Sequence, residues 1–198
     1  LECGGKSAQI VFPSVSGELD TVADAVAQAI FWGNGQVCVA GSRLLVHASI
    51  RDDLVHRVID RAGRWVSGNP LLESTTLGPL ASAAQFQRVQ RMVDTARAAG
   101  ARVLAGGCRP DGLPTGLHYA PTVLDQVDPE FEIVQEEVFG PVLAVMSFST
   151  VEEALALANR NRYGLFSYVH TRDLHETLAM ARGLRSGVVS VSAHRVPA

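Results

Sequence analysis

The chain has 198 residues, of which 47% are hydrophobic and 19% charged, with a formal net charge of −3 at pH 7. That balance excludes a strongly basic nucleic-acid binder and an acidic, apolar-poor disordered segment, and the length suffices for one well-cored domain. No apolar run approaches the roughly 20 residues of a membrane-spanning helix, so neither nucleic acid nor membrane is expected as a partner.

Short β-branched runs alternate with longer amphipathic stretches. Gln9-Ile10-Val11-Phe12 reads as a strand stopped by Pro13 and Ser14. Leu19 to Trp32 reads as a helix, with Val22, Val26, Ala29 and Ile30 at helical spacing and Gly33 as its stop. Arg43 to His47 is a second strand, and Ser49 is placed to cap a helix running through Trp65. A helix from about Ser82 to Ala99 carries Phe86, Val89, Met92, Val93 and Ala96 on one side. Arg102 to Ala105 is a strand closed by Gly106-Gly107, and Tyr119 to Leu124 is extended after a Gly/Pro-rich loop. Val142 to Met146 is the most apolar strand; Val151 to Arg160 is a helix, Ser167 to His170 a strand, Asp173 to Leu184 a helix and Gly187 to Val191 a last strand. Such alternation calls for parallel strands joined by helical crossovers: one α/β domain, doubly wound, with helices on both faces of a mostly parallel sheet.

Three widely spaced cysteines, Cys3, Cys38 and Cys108, form no disulfide framework and no CxxC pattern, which fits a reducing, cytoplasmic compartment. Sixteen arginines accompany a single lysine, Lys6, a bias attributable to codon usage. The six histidines are scattered; His170 and His175 are five apart, not the i, i+4 spacing of a helical zinc pair, and no metal is expected.

Four segments could carry chemistry. In Glu2-Cys3-Gly4-Gly5-Lys6-Ser7 an acid precedes paired glycines at an expected strand end: a turn with a surface carboxylate, or a general base beside backbone that a ligand can approach. In Gly33 to Ser42 a cysteine, Cys38, follows a helix and a glycine-rich turn, either as a small buried apolar residue or as a nucleophile near backbone donors. Glu136-Glu137-Val138-Phe139-Gly140-Pro141 is a solvated loop entering a strand, or a carboxylate placed to accept from a ribose diol. Asn159 to Leu165 reads as a helix end with a glycine cap. The chain has no GxGxxG fingerprint and no GxSxG elbow.

Taken together and in order, these segments resemble the aldehyde dehydrogenase superfamily. Leu1 to Ser7 is similar to its glutamate motif, Gly35 to Cys38 with Ala40 to Arg43 to its cysteine motif, and Glu136 to Pro141 to its cofactor-contacting run. Gly78-Pro79-Leu80, Pro121 to Leu124, Ala158-Asn159 with Tyr163-Gly164-Leu165, and Thr171 to Leu174 also sit where the family has them. The resemblance implies oxidation of a small-molecule aldehyde to a carboxylic acid with NAD or NADP. Cys38 would be the nucleophile, forming a thiohemiacetal and then a thioester, and Glu2 the base that activates water. The Cys38 N–H would stabilise the oxyanion, Glu137 would hold the nicotinamide ribose, and Phe139 would pack near that ring. Lys6 belongs to the motif and receives no catalytic role.

The resemblance also implies that residues 1–7 end a linker from a cofactor-binding domain that is largely absent from this chain. Residues 8–198 would form a catalytic domain lacking its C-terminal end, with Cys38 in the cleft facing that other domain. The full-length protein would be a homo-oligomer. Leu1 in place of an initiating methionine suggests that the chain starts inside something longer, and Gly33 where asparagine is common, Cys3 where leucine or alanine is common and Ser192 where asparagine is usual are departures from the pattern. The segments from Glu2 to Phe12 and Gly35 to Leu45 lean toward the broad-substrate, aminoaldehyde-like branch. Two other readings stand beside the dehydrogenase: an inactive domain that pairs with other subunits, and a cofactor-independent hydrolase of activated esters using Cys38 and Glu2.

Overall fold

A computed structural model describes residues 3–113 and 115–192. Seven strands form one sheet in the order β3-β4-β5-β2-β1-β6-β7. They are β1 (Ala8–Val11), β2 (Arg43–His47), β3 (Arg102–Ala105), β4 (Thr122–Asp125), β5 (Val142–Phe148), β6 (Phe166–His170) and β7 (Val188–Val191). All neighbours are parallel except β3 and β4, which pair antiparallel at one edge. The helices are α1 (Leu19–Phe31), α2 (Arg51–Ala62), α3 (Ala83–Ala98), α4 (Glu132–Gln135), α5 (Val151–Ala158) and α6 (Leu174–Gly183).

Alternation along the strands sorts the side chains into two cores. In β5, Leu143 and Val145 join Val22, Val26 and Ile30 of α1 and Leu54 and Val58 of α2 on one face. Val142, Ala144 and Met146 of the same strand join α3 to α6 on the other, through Phe86, Met92, Ile133, Ala154 and Met180. Burial on both faces explains why β5 reads as a continuous apolar run, as expected of a central parallel strand. The doubly wound α/β class follows from this arrangement.

Helix boundaries depart from the pattern where local chemistry intervenes. The expected Ser49 cap is not formed. Instead a tight 3₁₀ turn, Ala48–Ile50, precedes α2, and the His47 imidazole accepts the Ser49 N–H at 3.2 Å. That helix ends at Ala62 rather than Trp65, with Gly63 at its C-cap. Ser82, Thr150 and Asp173 do cap α3, α5 and α6, each accepting the N–H three residues on. Gly164 caps no helix, because α5 stops at Ala158 and the chain from Asn159 to Leu165 runs irregularly into β6. No helix of the described residues is long and apolar enough to cross a membrane.

Candidate active site

The segments singled out in the sequence each lie immediately upstream of a strand: 3–7 before β1, 38–42 before β2, 136–141 before β5 and 162–165 before β6. These four strands are parallel neighbours, with Ala8 opposite both Arg43 and Ser167, and Arg43 opposite Ala144. The motifs therefore meet at one edge, the amino ends of the strands. Open parallel sheets ordinarily bind ligands beyond the carboxyl ends, so this site is built on the opposite rim.

The cysteine loop begins with three successive left-handed residues, Gly33, Asn34 and Gly35, at φ of 59–64°. Two glycines and an asparagine are the residue types that take such a course at low cost. Gly35 has a second reason to lack a side chain: its α-carbon packs on the Gly140 carbonyl, joining the cysteine loop to the run before β5. Side chains then pin the loop. The Asn34 amide donates to the Pro79 carbonyl at 3.0 Å, and Gln36 accepts the Ala81 N–H at 2.9 Å. The Tyr168 hydroxyl, reaching from β6, donates to the Val39 carbonyl at 3.0 Å. Gln9, buried in β1, donates to Gly41 and Val26.

Cys38 itself is half-buried and lines two cavities. One, of about 560 Å³, is bounded by Cys3, Gly4, Arg162, Tyr163, Gly164 and Leu165. The other, of about 550 Å³, is bounded by Gly4, Gln85, Arg88, Glu137 and Phe139. Among the described residues the Cys38 backbone N–H donates to nothing, so it is free for a ligand oxygen.

Glu137 is drawn into the glycine turn. One carboxylate oxygen accepts the Gly5 N–H at 2.8 Å, and the other packs on the Gly4 α-carbon. Helix α3 fixes the rest of that run: Gln85 donates to the carbonyls of Val138 and Phe139 at 2.8 and 2.7 Å, and Arg88 to that of Glu137 at 2.7 Å. These bonds hold Phe139 at φ 55°, a strained value for an aromatic residue, and the residue is 36% exposed and lines the cavity. Tyr163 closes the other side, donating to Glu136 at 3.2 Å and accepting the Glu137 N–H.

Two buried cations lie beneath the glycine turn. Arg43 donates to the carbonyls of Lys6, Leu157 and Ala158, so one guanidinium joins the first motif to the end of α5. Burial lowers its pKa to about 10. The Lys6 ammonium is only 2% exposed and has no hydrogen-bond partner among the described residues. Burial, then the neighbouring Arg43, lowers its pKa to about 7, against a smaller opposing effect of Glu137.

Of the expected site residues, Cys38, Glu137 and Phe139 thus share one cavity, whereas Glu2 lies outside the described residues. Tyr168, Arg43, Gln85 and Arg88 hold the site together, a role the sequence assigns to none of them, although Arg43 closes the segment that resembles the cysteine motif. Gln85 and Arg88 fall on the polar side of the predicted α3 pattern, and nothing local shows that Tyr168 or Arg43 reaches a distant carbonyl.

Comparison with known proteins supplies the family. The aldehyde dehydrogenase family model matches residues 1–198. A 3,6-anhydro-alpha-L-galactose dehydrogenase of Streptomyces coelicolor is 44% identical over 194 residues, covering 97% of this chain and 39% of that protein. A peroxisomal aminoaldehyde dehydrogenase 1 of Pisum sativum is 42% identical over 192 residues, 97% of this chain and 38% of its own length. Among solved structures, an indole-3-acetaldehyde dehydrogenase from P. syringae in complex with NAD+ and IAA superposes with a TM-score of 0.93 at 41% identity, over 98% of this chain and 39% of that one. The chain thus spans about two-fifths of the length of the relatives it matches. On the whole-length family match and these likenesses, the chain belongs to the aldehyde dehydrogenase family.

Proposed function

We propose that this chain is the catalytic domain of an NAD(P)-dependent aldehyde dehydrogenase. In that reading residues 8–198 carry the nucleophile, and residues 1–7 end the link to a cofactor-binding domain. The observation that carries it is the position of Cys38, which lines both cavities, one with the glycine turn and Tyr163 and the other with Glu137 and Phe139.

The cavity bearing Glu137 and Phe139 fits a nicotinamide and its ribose: it offers a carboxylate as hydrogen-bond acceptor and an exposed aromatic face, in a volume typical of small-ligand sites. A dinucleotide bound there supplies the hydride acceptor. The other cavity, also lined by Cys38, is the one that would admit the aldehyde. Cys38 Sγ attacks the carbonyl carbon, and the Cys38 N–H stabilises the oxyanion of the thiohemiacetal. Loss of hydride leaves a thioester on Cys38, and Glu2 as general base removes a proton from the water that hydrolyses it. Glu137 and Phe139 orient the cofactor, and Tyr163 and Arg88 keep their segment in register. The aminoaldehyde and betaine aldehyde dehydrogenases among the relatives support a small, polar aldehyde as substrate. Three unpaired cysteines support a reducing, cytoplasmic setting.

The test separates acylation from oxidation. The purified protein is given an activated ester, then a panel of small aldehydes with NAD+ or NADP+, and reduced cofactor is followed by absorbance. The expected result is an acyl-enzyme and a reduced-cofactor signal that both vanish in Cys38→Ala. Glu2→Gln should retain the acylation burst and lose turnover. Equal signals from wild type and Cys38→Ala with both substrate classes would overturn the reading.

A further inference from the structure

The larger cavity beside Cys38 holds a second thiol. Cys3 lines it together with Cys38, both sulfurs are free, and Cys3 is exposed. The third cysteine, Cys108, is exposed on the loop after β3 and borders neither cavity. The two segments are pinned to each other next to these residues. Gly5 packs directly on the Cys38 carbonyl, and its N–H is held by Glu137. Cys3 is two residues from that contact, a span of at most about 7 Å of backbone. Gly4, at φ 69°, turns the chain between them. That span adds to the Gly5–Cys38 separation, so closing a disulfide, which needs α-carbons about 4.4–6.8 Å apart, calls for the Gly4 turn to fold Cys3 back toward Cys38 across the cavity both line.

We propose that Cys3 and Cys38 form a reversible intramolecular disulfide under hydroperoxide stress, making the cavity a redox modification site. The Cys38 thiol is oxidised by the hydroperoxide to a sulfenic acid, and the peroxide O–O bond breaks to give an alcohol or water. The Cys3 sulfur then attacks the Cys38 sulfur, the S–S bond forms, and the hydroxyl leaves with the Cys3 proton as a second water. The two thiols together supply the two electrons the peroxide takes. Reduction by a low-molecular-weight dithiol restores both thiols. The disulfide occupies the sulfur proposed above as the nucleophile, so oxidation switches turnover off, and it also keeps Cys38 from advancing to the irreversible sulfinic acid. The effect on turnover rests on that proposed role, whereas disulfide formation does not.

The test is treatment of the whole chain with hydrogen peroxide, read by intact mass, thiol titration and peptide mapping. Wild type should lose two of its three thiols, yield a linked Cys3–Cys38 peptide and recover fully with dithiothreitol. Cys108→Ser should behave identically in forming the link. Cys3→Ser, a change at an exposed position whose fold is checked by circular dichroism, should form no intramolecular link. Its Cys38 should accumulate as sulfinic acid several-fold faster. Oxidation of Cys38 at the same rate and to the same product in wild type and Cys3→Ser would overturn the proposal, as would a link through Cys108. A disulfide in a chain without dehydrogenase activity would leave this inference standing and sink only the functional one.

Discussion

Gly5 and Cys38 face each other without an intervening side chain: the Gly5 α-carbon lies against the Cys38 carbonyl oxygen, where even a methyl group would fall deep inside van der Waals contact. The contact joins the first motif to the proposed nucleophile, and Glu137 secures it by accepting the Gly5 N–H. Three segments far apart in sequence are thereby locked together at the Cys38 backbone.

Gly5→Ala is expected to force these backbones apart. Overpacking of this kind costs about 1–3 kcal/mol, and here the strain falls on the loop that aims Cys38. Urea unfolding should show the lower stability, and Cys38-dependent ester hydrolysis should fall at least tenfold. Gly17 is the control, since nothing lies within 4 Å of a methyl added there. Gly17→Ala should leave both readings within a few tenths of wild type. Equal behaviour of the two variants would show that the Gly5 contact is not structurally demanding.

Tyr168→Phe removes the hydroxyl that holds the Val39 carbonyl and leaves the ring in place. Burial, then proximity to Cys38, raises the pKa of that hydroxyl to about 12, so it is a donor at every pH of interest. The lost bond should cost about 1 kcal/mol and loosen the residues after Cys38. Alkylation of Cys38, compared with Cys108 in the same protein, should change in rate, while Cys108 itself reacts as before. An unchanged ratio would mean the loop is fixed without Tyr168.

The strands along the chain and the long helices could be read because hydrophobic pattern survives in them: β5 is apolar from Val142 to Met146, and α3 shows its buried stripe every three or four residues. The four motifs were legible as interruptions, places where glycines or paired acids break the pattern just before a strand. Glu132–Gln135 was not, since four residues are too few to display a helical period. Ser49 misled because a serine before two aspartates has the composition of a cap, whereas the preceding 3₁₀ turn gives its N–H to His47. The bridging roles of Tyr168 and Arg43 are illegible for a different reason. Each acts from inside a strand across a long sequence separation, and a buried tyrosine or an arginine at a strand start looks the same whether or not its polar end meets a distant carbonyl.

Arg43→Lys tests the second of these. The planar guanidinium serves three carbonyls at 2.8–3.0 Å, from Lys6, Leu157 and Ala158. An ammonium at the end of a flexible stem cannot reproduce that fork. Leaving buried carbonyls unpaired should cost about 2–4 kcal/mol and free the first motif from α5. The measurement is chemical denaturation, with hydrogen exchange at Lys6 and Ser7 to localise the loosening. Exchange protection there equal to wild type would show that Arg43 does not anchor the motif.

Lys6 gives the protein a defined pH dependence. Its folded pKa is lowered to about 7 by burial and by Arg43, below the value of 10.5 for an exposed lysine. Between those two values the unfolded chain binds a proton that the folded chain does not, so stability rises with pH across that window and falls as pH drops from about 10 toward 7. Below about 7 both states are protonated and the penalty is full and constant. Within the window the folded-to-unfolded ratio should change by up to about tenfold per pH unit. Lys6→Met keeps the apolar stem and removes the titration. The variant should therefore be more stable than wild type at pH 7, with the difference shrinking toward pH 10. Taking the difference between the two proteins cancels the tyrosines, the thiols and every other group they share. A gap in unfolding free energy that stays constant from pH 7 to 10 would mean that Lys6 is charged throughout and has found a counter-charge in the folded protein.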